Sequence, residues 1–187
     1  HNDVGFQPDD QLVASGLLPE PSYEYPHPEE LLSDLVDFSY EEKMMEIDKL
    51  RRVENKSDEL KKSLSKLKQG LSTNSYLTKP LNDVQKSFRT KPDGSIMGKG
   101  SELLEHKYSA HTAKVREKFY FMIKNNGKIP ESMKTKKFAQ RVLQKKWDSS
   151  GPNITATSLP DDYVHYSQPR SLTVREWARL QTFPDHY

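Results

Sequence analysis

Cysteine is missing from the sequence altogether, which excludes disulfides, thiolate zinc sites and any cysteine nucleophile among these 187 residues. Long apolar runs are missing too. No stretch approaches the roughly 18 residues a membrane span needs, and the polar start after His1 has no signal-peptide pattern. Glycine is sparse where a cofactor loop would want it: Gly98-x-Gly100 has no preceding strand signal and no third glycine, so it is not a dinucleotide loop. Apolar residues make up only 33% against 30% charged, so a core is expected that does not use every segment. Cations are missing from residues 1–38, which carry nine acids, whereas residues 101–150 carry twelve cations against five acids. Charge so segregated suggests a nucleic-acid-facing half beside an acidic segment; the competing reading is pairing of the two halves within the chain.

What is present reads mostly as helix. Four prolines in 16–28 make an extended arm, followed by a helical burst of Leu31, Leu32, Leu35 and Val36. Ser39 and Glu42 fit a capping box opening a helix whose stripe runs from Met44 to Leu67, with Gly70 as its stop. The stripe skips a turn at Ser57, so one long helix and a hairpin bent near "ENKSD" both fit. Leu81, Val84, Gln85 and Phe88 form a short amphipathic stretch, and Asp93-Gly94 a hairpin-type turn. Val115, Phe119, Met122 and Ile123 form a further buried stripe ending at Asn126-Gly127. The spacing of Phe138, Val142, Leu143 and Trp147 predicts another helix over 134–147 with a lysine-rich outer face, either a phosphate-contacting surface or a merely solvated one. "SSGPNITATS" looks like a strand, in which β propensity explains Thr155 and Thr157, and Tyr163–His165 is a short strand candidate. Thr173 and Glu176 make a second capping box, for a helix carrying Val174, Trp177, Ala178, Leu180 and Gln181 that Pro184 is expected to stop. His106, His111, His165 and His186 lack metal-ligand spacing and read as ordinary polar residues.

The last 35 residues, "NITATSLPDDYVHYSQPRSLTVREWARLQTFPDHY", resemble bacterial DNA (cytosine-5) methyltransferases at the end of their variable region and their ninth sequence motif. The family pattern Arg-x-Leu-Thr-x-Arg-Glu-x-Ala-Arg-Leu-Gln-x-Phe-Pro-Asp is matched by Arg170, Leu172, Thr173, Arg175, Glu176, Ala178, Arg179, Leu180, Gln181, Phe183, Pro184 and Asp185. "HKYSAHTAKVREKF" resembles the family's lead-in more weakly, and residues 1–100 carry no matching motif. The family's catalytic motifs (a Phe-x-Gly-x-Gly loop, a Pro-Cys nucleophile and Glu-Asn-Val) do not occur. The chain is therefore expected to be a piece of a longer enzyme, inactive alone.

The resemblance implies an α+β fold: a helix-rich small domain with a few short strands, of target-recognition type, excised from a larger Rossmann-like methyltransferase. The expected division is an acidic proline-containing arm (1–38), a long helix or helical hairpin that is a candidate insertion (39–70), a target recognition region with basic helices (71–150) and a strand-loop-helix junction motif (151–187). Expected DNA contacts are Lys134, Lys136, Lys137, Arg141, Lys145 and Arg170, the last with loop fixation as an equal alternative. Thr173, Arg175, Glu176, Trp177, Arg179, Leu180 and Pro184 carry structural roles: Thr173 and Glu176 cap, Trp177 and Leu180 bury, and Arg175 and Arg179 pair with acids across the junction to the catalytic domain. No cofactor or metal is expected on this chain; the parent would use S-adenosylmethionine. Expected partners are double-stranded DNA and the parent's own catalytic domain, with no membrane, in a bacterial cytoplasmic restriction-modification enzyme. The competing class is a helical protein–protein interaction or scaffolding fragment.

Overall fold

The structure, a computed structural model, describes residues 26–134, 140–146 and 159–187. Helix α1 (Pro28–Leu32) runs into a 3-10 turn, Ser33–Leu35, and α2 (Tyr40–Arg52) and α3 (Asp58–Gln69) follow. After them come α4 (Asp83–Arg89), α5 (Ala113–Lys124), β1 (Arg141–Val142), β2 (Tyr163–Val164) and α6 (Val174–Leu180). Helix-rich with two short strands, this is an α+β arrangement.

The 39–70 stretch is a hairpin. Helix α2 ends at Arg52, Asn55 takes a left-handed φ of 49°, and Ser57 Oγ accepts from the Leu60 amide at 3.2 Å to start α3. Lys56 Nζ donates to the carbonyls of Arg51 and Val53, placing a cation at the negative end of α2. The first cap differs from the Ser39–Glu42 box. The Ser39 side chain does not cap; its hydroxyl donates to Asp37 Oδ1 at 2.6 Å, and the Asp37 carbonyl accepts from the Tyr40 amide. A buried aspartate two residues upstream competes for the serine more effectively than the helix end does. Tyr40, Met44 and Ile47 of α2 are buried with Leu71 and Tyr108, and Leu64 and Leu67 of α3 pack partly against them. The hairpin stripe therefore points into the protein.

Helix α5 opens at Thr112, whose hydroxyl accepts from the Val115 amide, and ends before Asn126 and Gly127, both at positive φ. It buries Phe119 and Met122 against Val164, with Val115, Ile123, Ile129 and Val142 packed around them.

The described residues of the expected 134–147 helix, 134 and 140–146, form no helix. Arg141 and Val142 form β1 instead, parallel to β2 in the register Arg141–Tyr163 and Val142–Val164, and 143–146 is non-helical. Successive side chains go to different cores: Val142 joins the α5 cluster and Leu143 the α1–α6 cluster. A strand sends neighbours to opposite faces, which a helix cannot do at adjacent positions. Lys136, Lys137, Phe138, Trp147 and the 149–158 strand, with Thr155 and Thr157, lie outside the described residues.

The main core joins the two ends of the described chain. Leu31, Leu32 and Leu35 pack with Tyr163, Tyr166, Leu172 and Trp177, and with Phe88, Met97 and Leu103 from between. The acidic segment 28–37 is thus part of one core with α6. Helix α6 ends at Leu180, earlier than a stop at Pro184 would place it. Thr182 turns the chain at φ 64°, and the Phe183 amide donates back to the Ala178 carbonyl at 2.9 Å.

Phe119 is fully buried, so Phe119→Ala should cost about 3–5 kcal/mol. Leu60 on the outer helix of the hairpin is only half-buried, and Leu60→Ala should cost about 1 kcal/mol or less. Urea denaturation of the two variants checks the contrast.

Candidate nucleic-acid interface

The loop before α6 is built around Arg170. Ser171 bridges back to Val164, and the His165 amide donates to the Arg170 carbonyl at 2.8 Å, turning the chain so that the arginine points inward. Its guanidinium is fully buried and donates to both Glu176 carboxylate oxygens at 2.8 and 2.6 Å, to Gln168 Oε1 and to the Ser171 carbonyl. Tyr108 lies 4.7 Å from it, ring centroid to guanidinium carbon. Of the two roles weighed for Arg170, the structure shows loop fixation; a phosphate has no access to it.

Glu176 does two jobs at once. It receives the bidentate Arg170 pair and also accepts from the Thr173 amide at 2.9 Å, while Thr173 Oγ1 accepts from the Glu176 amide at 3.1 Å. This reciprocal capping box is assembled inside the protein. The Arg170 guanidinium beside Glu176 holds its carboxyl far below the usual range despite burial, which pushes the other way.

Three histidines complete the layer in their neutral form. His106 Nε2 donates to the Leu35 carbonyl at 2.9 Å, leaving Nδ1 to accept from Thr173 Oγ1. His165 Nδ1 accepts from the Ser167 and Gln168 amides, so its proton sits on Nε2, 3.6 Å from Glu176 Oε1. His111 Nε2 accepts from the Ser171 amide at 3.2 Å. Burial lowers His106 and His111 to about 4 and His165 to about 3. Among the described residues no group of three His, Cys, Asp or Glu could hold a metal.

A second buried layer lies about one turn further along α6, at Arg179. Arg179 donates to Asp185 through Nε at 3.0 Å and Nη2 at 2.6 Å, to Asp34 through Nη1 at 2.5 Å and Nη2 at 3.1 Å, and to the Leu31 carbonyl. Arg89 also pairs with Asp34, its guanidinium 3.6 Å from the Tyr76 ring centroid, and Tyr76 Oη donates to Asp185 at 2.6 Å. Arg175 donates to the carbonyls of Leu104, Pro184 and Tyr187. The acids that meet Arg175 and Arg179 therefore come from this chain, Asp185 for both and Asp34 for the latter, rather than from across a junction. Asp34, Arg89 and Tyr76 were not legible as site residues, because nothing local marks them; Asp185 stood in the matched pattern without an assigned role. Trp177 is buried and stacks obliquely on Tyr163, and Leu180 packs partly on the same core.

The surface candidates are spread out. Lys134 is exposed and pairs with Glu131, Lys145 is exposed and pairs with Glu29 at 3.2 Å, and Arg141 is exposed on β1. Exposed pairs of this kind are weak, so both lysines can be drawn to a phosphate. The Glu29–Lys145 pair is the ion pair seen between the acidic segment and the basic half among the described residues.

Residues 23–187 match the family model for C-5 cytosine-specific DNA methylase. Type II methyltransferase M1.HphI of Haemophilus parahaemolyticus is 37% identical over 93 residues, 48% of this chain and 24% of that protein. Type II methyltransferase M.AquIB of Picosynechococcus sp. is 38% identical over 87 residues, 46% of this chain and 59% of that protein. DNA (cytosine-5)-methyltransferase CMT1 of Oryza sativa subsp. japonica is 46% identical over 43 residues, 22% of this chain and 4% of that protein. The chain therefore spans less than two thirds of the length of these relatives. No solved structure matches.

The buried histidines predict a pH dependence with a definite sign. Each is held below the unfolded value near 6.5, so its contribution is complete above pH 6.5 and is lost as pH falls toward 4. Three such groups give a slope of up to about 4 kcal/mol per pH unit. The urea midpoint should fall clearly between pH 7.5 and pH 5, before Glu176 or Asp37 titrates; equal midpoints would contradict the assignment. With the family model matched from 23 to 187, the chain belongs to the C-5 cytosine-specific DNA methylase family.

Proposed function

We propose that this chain is the DNA-positioning, target-recognition part of a DNA (cytosine-5) methyltransferase, with residues 163–187 as the rigid junction to the catalytic part. One observation carries the reading: the family match spans 23–187, yet those residues contain no cysteine. Carbon 5 of cytosine is too weak a nucleophile to take a methyl group unaided, so a thiolate must first add to C6, and a base later removes the C5 proton. The target base must also leave the helix stack to meet that thiolate. A chain of this family without the thiolate is left with holding and reading the duplex.

S-adenosylmethionine supplies the methyl group in this chemistry, and the groove beside α6 does not fit it. The groove beside α6, lined by Glu105, Val174, Arg175, Ala178, Phe183 and Tyr187, offers mainly apolar side chains, and the Arg175 guanidinium is already engaged by three carbonyls. No methyl-transfer step is assigned to this chain. DNA contact falls to the exposed cations, among them Lys134, Arg141 and Lys145, together with Lys136 and Lys137. The scaffolding alternative loses its main support in the hairpin, whose apolar stripe is used internally against Leu71 and Tyr108.

Fluorescence anisotropy with a labelled mixed-sequence duplex tests the reading. Binding is expected in the non-specific range, about 10⁻⁴ to 10⁻⁶ M, with log K falling linearly as log salt rises. Absence of binding at about 50 mM salt, with concentration-dependent self-association in its place, would contradict it.

A further inference from the structure

Helix α5 and the turn after it carry a row of cations left without anionic partners among the described residues. The described residues 113–134 and 140–146 hold nine cations against two acids. Several of the nine are engaged: Arg116 pairs with Asp48 at 2.6 Å, Lys134 with Glu131 and Lys145 with Glu29, and Lys118 donates to Gln140 Oε1 at 3.0 Å. The side chains of Lys114, Lys124 and Lys128 are exposed and make no ion pair or hydrogen bond among the described residues.

Their placement follows from the helix. Phe119 and Met122 face the core, so the opposite side presents Lys114, Glu117, Tyr120, Phe121 and Lys124, with Lys128 just beyond the Asn126-Gly127 turn. Tyr120 and Phe121 are 56% and 41% exposed, and Lys124 Nζ sits 5.6 Å from the Tyr120 ring centroid. Two adjacent exposed aromatics between unpaired lysines do not suit a face whose only task is solubility. They suit a partner that offers anions and apolar contact side by side, as phosphate and deoxyribose do along a duplex. The lengths agree as well. Lys114 and Lys124 are ten residues apart, about 15 Å along the axis, and a DNA strand presents a phosphate about every 3.4 Å of duplex axis. The face is also firmly mounted: Asp48 of the hairpin takes both Arg116 and Arg51, and Lys118 ties α5 to the segment of β1.

We infer that the outer face of α5, with Lys114, Lys124 and Lys128 around Tyr120 and Phe121, lies along the phosphate backbone of duplex DNA. This rests on the DNA-positioning reading above, and it names a surface that the ninth-motif resemblance does not reach. Glu117 is the one acid on this face and opposes the contact.

The test compares salt slopes of duplex binding for four forms of the 187-residue chain. Lys114→Glu, Lys124→Glu and Lys128→Glu combined should lower the slope of log K against log salt by about three, close to one for each phosphate no longer neutralised. Glu117→Lys should raise it by about one and tighten binding, a gain that misfolding cannot produce. Lys62→Glu, Lys66→Glu and Lys68→Glu combined, on the exposed α3, change net charge equally and should leave the slope near that of the unaltered chain. Equal losses from the two triple variants, or no change from the α5 triple while the unaltered chain binds, would overturn the inference and leave the DNA-positioning reading intact. No salt-dependent binding by the unaltered chain would overturn both.

Discussion

The guanidinium of Arg179 sits fully buried between two carboxylates from distant parts of the chain, Asp34 and Asp185, and also holds the Leu31 carbonyl. Burying one arginine in this way is costly unless both the charge and the hydrogen bonds are matched. Here Arg89 supplies the second positive charge and Tyr76 the remaining donor, so two cations meet two anions with a phenol bridging to Asp185. The apolar cluster of Leu31, Leu32, Leu35, Leu172 and Trp177 closes around this lattice. Without Asp34, Arg89 would be left without an anion in that core and Arg179 would keep only Asp185.

The Arg170–Glu176 layer has the same logic and a different task. It fixes the loop entering α6, and through Gln168 Nε2, which donates to the Asp37 carbonyl at 2.7 Å, it reaches the start of α2. Asp37 in turn takes Lys43 at 2.7 Å and Thr73. Arg170 and Arg179 thus act as internal fasteners that join the acidic segment, the hairpin and the terminal helix into one body. The exposed cations of α5 lie away from these layers, and α5 is mounted on this frame through Asp48 and Val164.

Some of this was readable in one dimension. Thr173 and Glu176 are three apart, and a capping box is a local event, so its position followed from spacing alone. The break in the apolar stripe at Ser57 left rod and hairpin open, and packing onto Leu71 and Tyr108 decided for the hairpin. Residues 140–146 depart from the expected helix because Val142 and Leu143 fit an inward helical face as well as they fit a strand serving two cores. Arg170 was ambiguous for a physical reason: an arginine near a loop looks the same whether its partner is a phosphate or a glutamate six residues on. Asp34 was invisible as a partner because ion pairs over 145 residues leave no local trace. The family resemblance is dense over the last 35 residues and reaches α5 only weakly, through "HKYSAHTAKVREKF".

The central claim, that Arg179 and Asp34 lock the two ends of the chain together, is tested most directly by a double-mutant cycle of Asp34→Asn and Arg179→Met in urea denaturation. Each single change upsets the balance of two buried cations and two buried anions, Asp34→Asn leaving Arg89 without its anion, and should cost about 3–5 kcal/mol. The double variant should be little worse than the worse single, giving a coupling of about 2 kcal/mol or more. Additive losses, with a coupling below about 0.5 kcal/mol, would contradict the account.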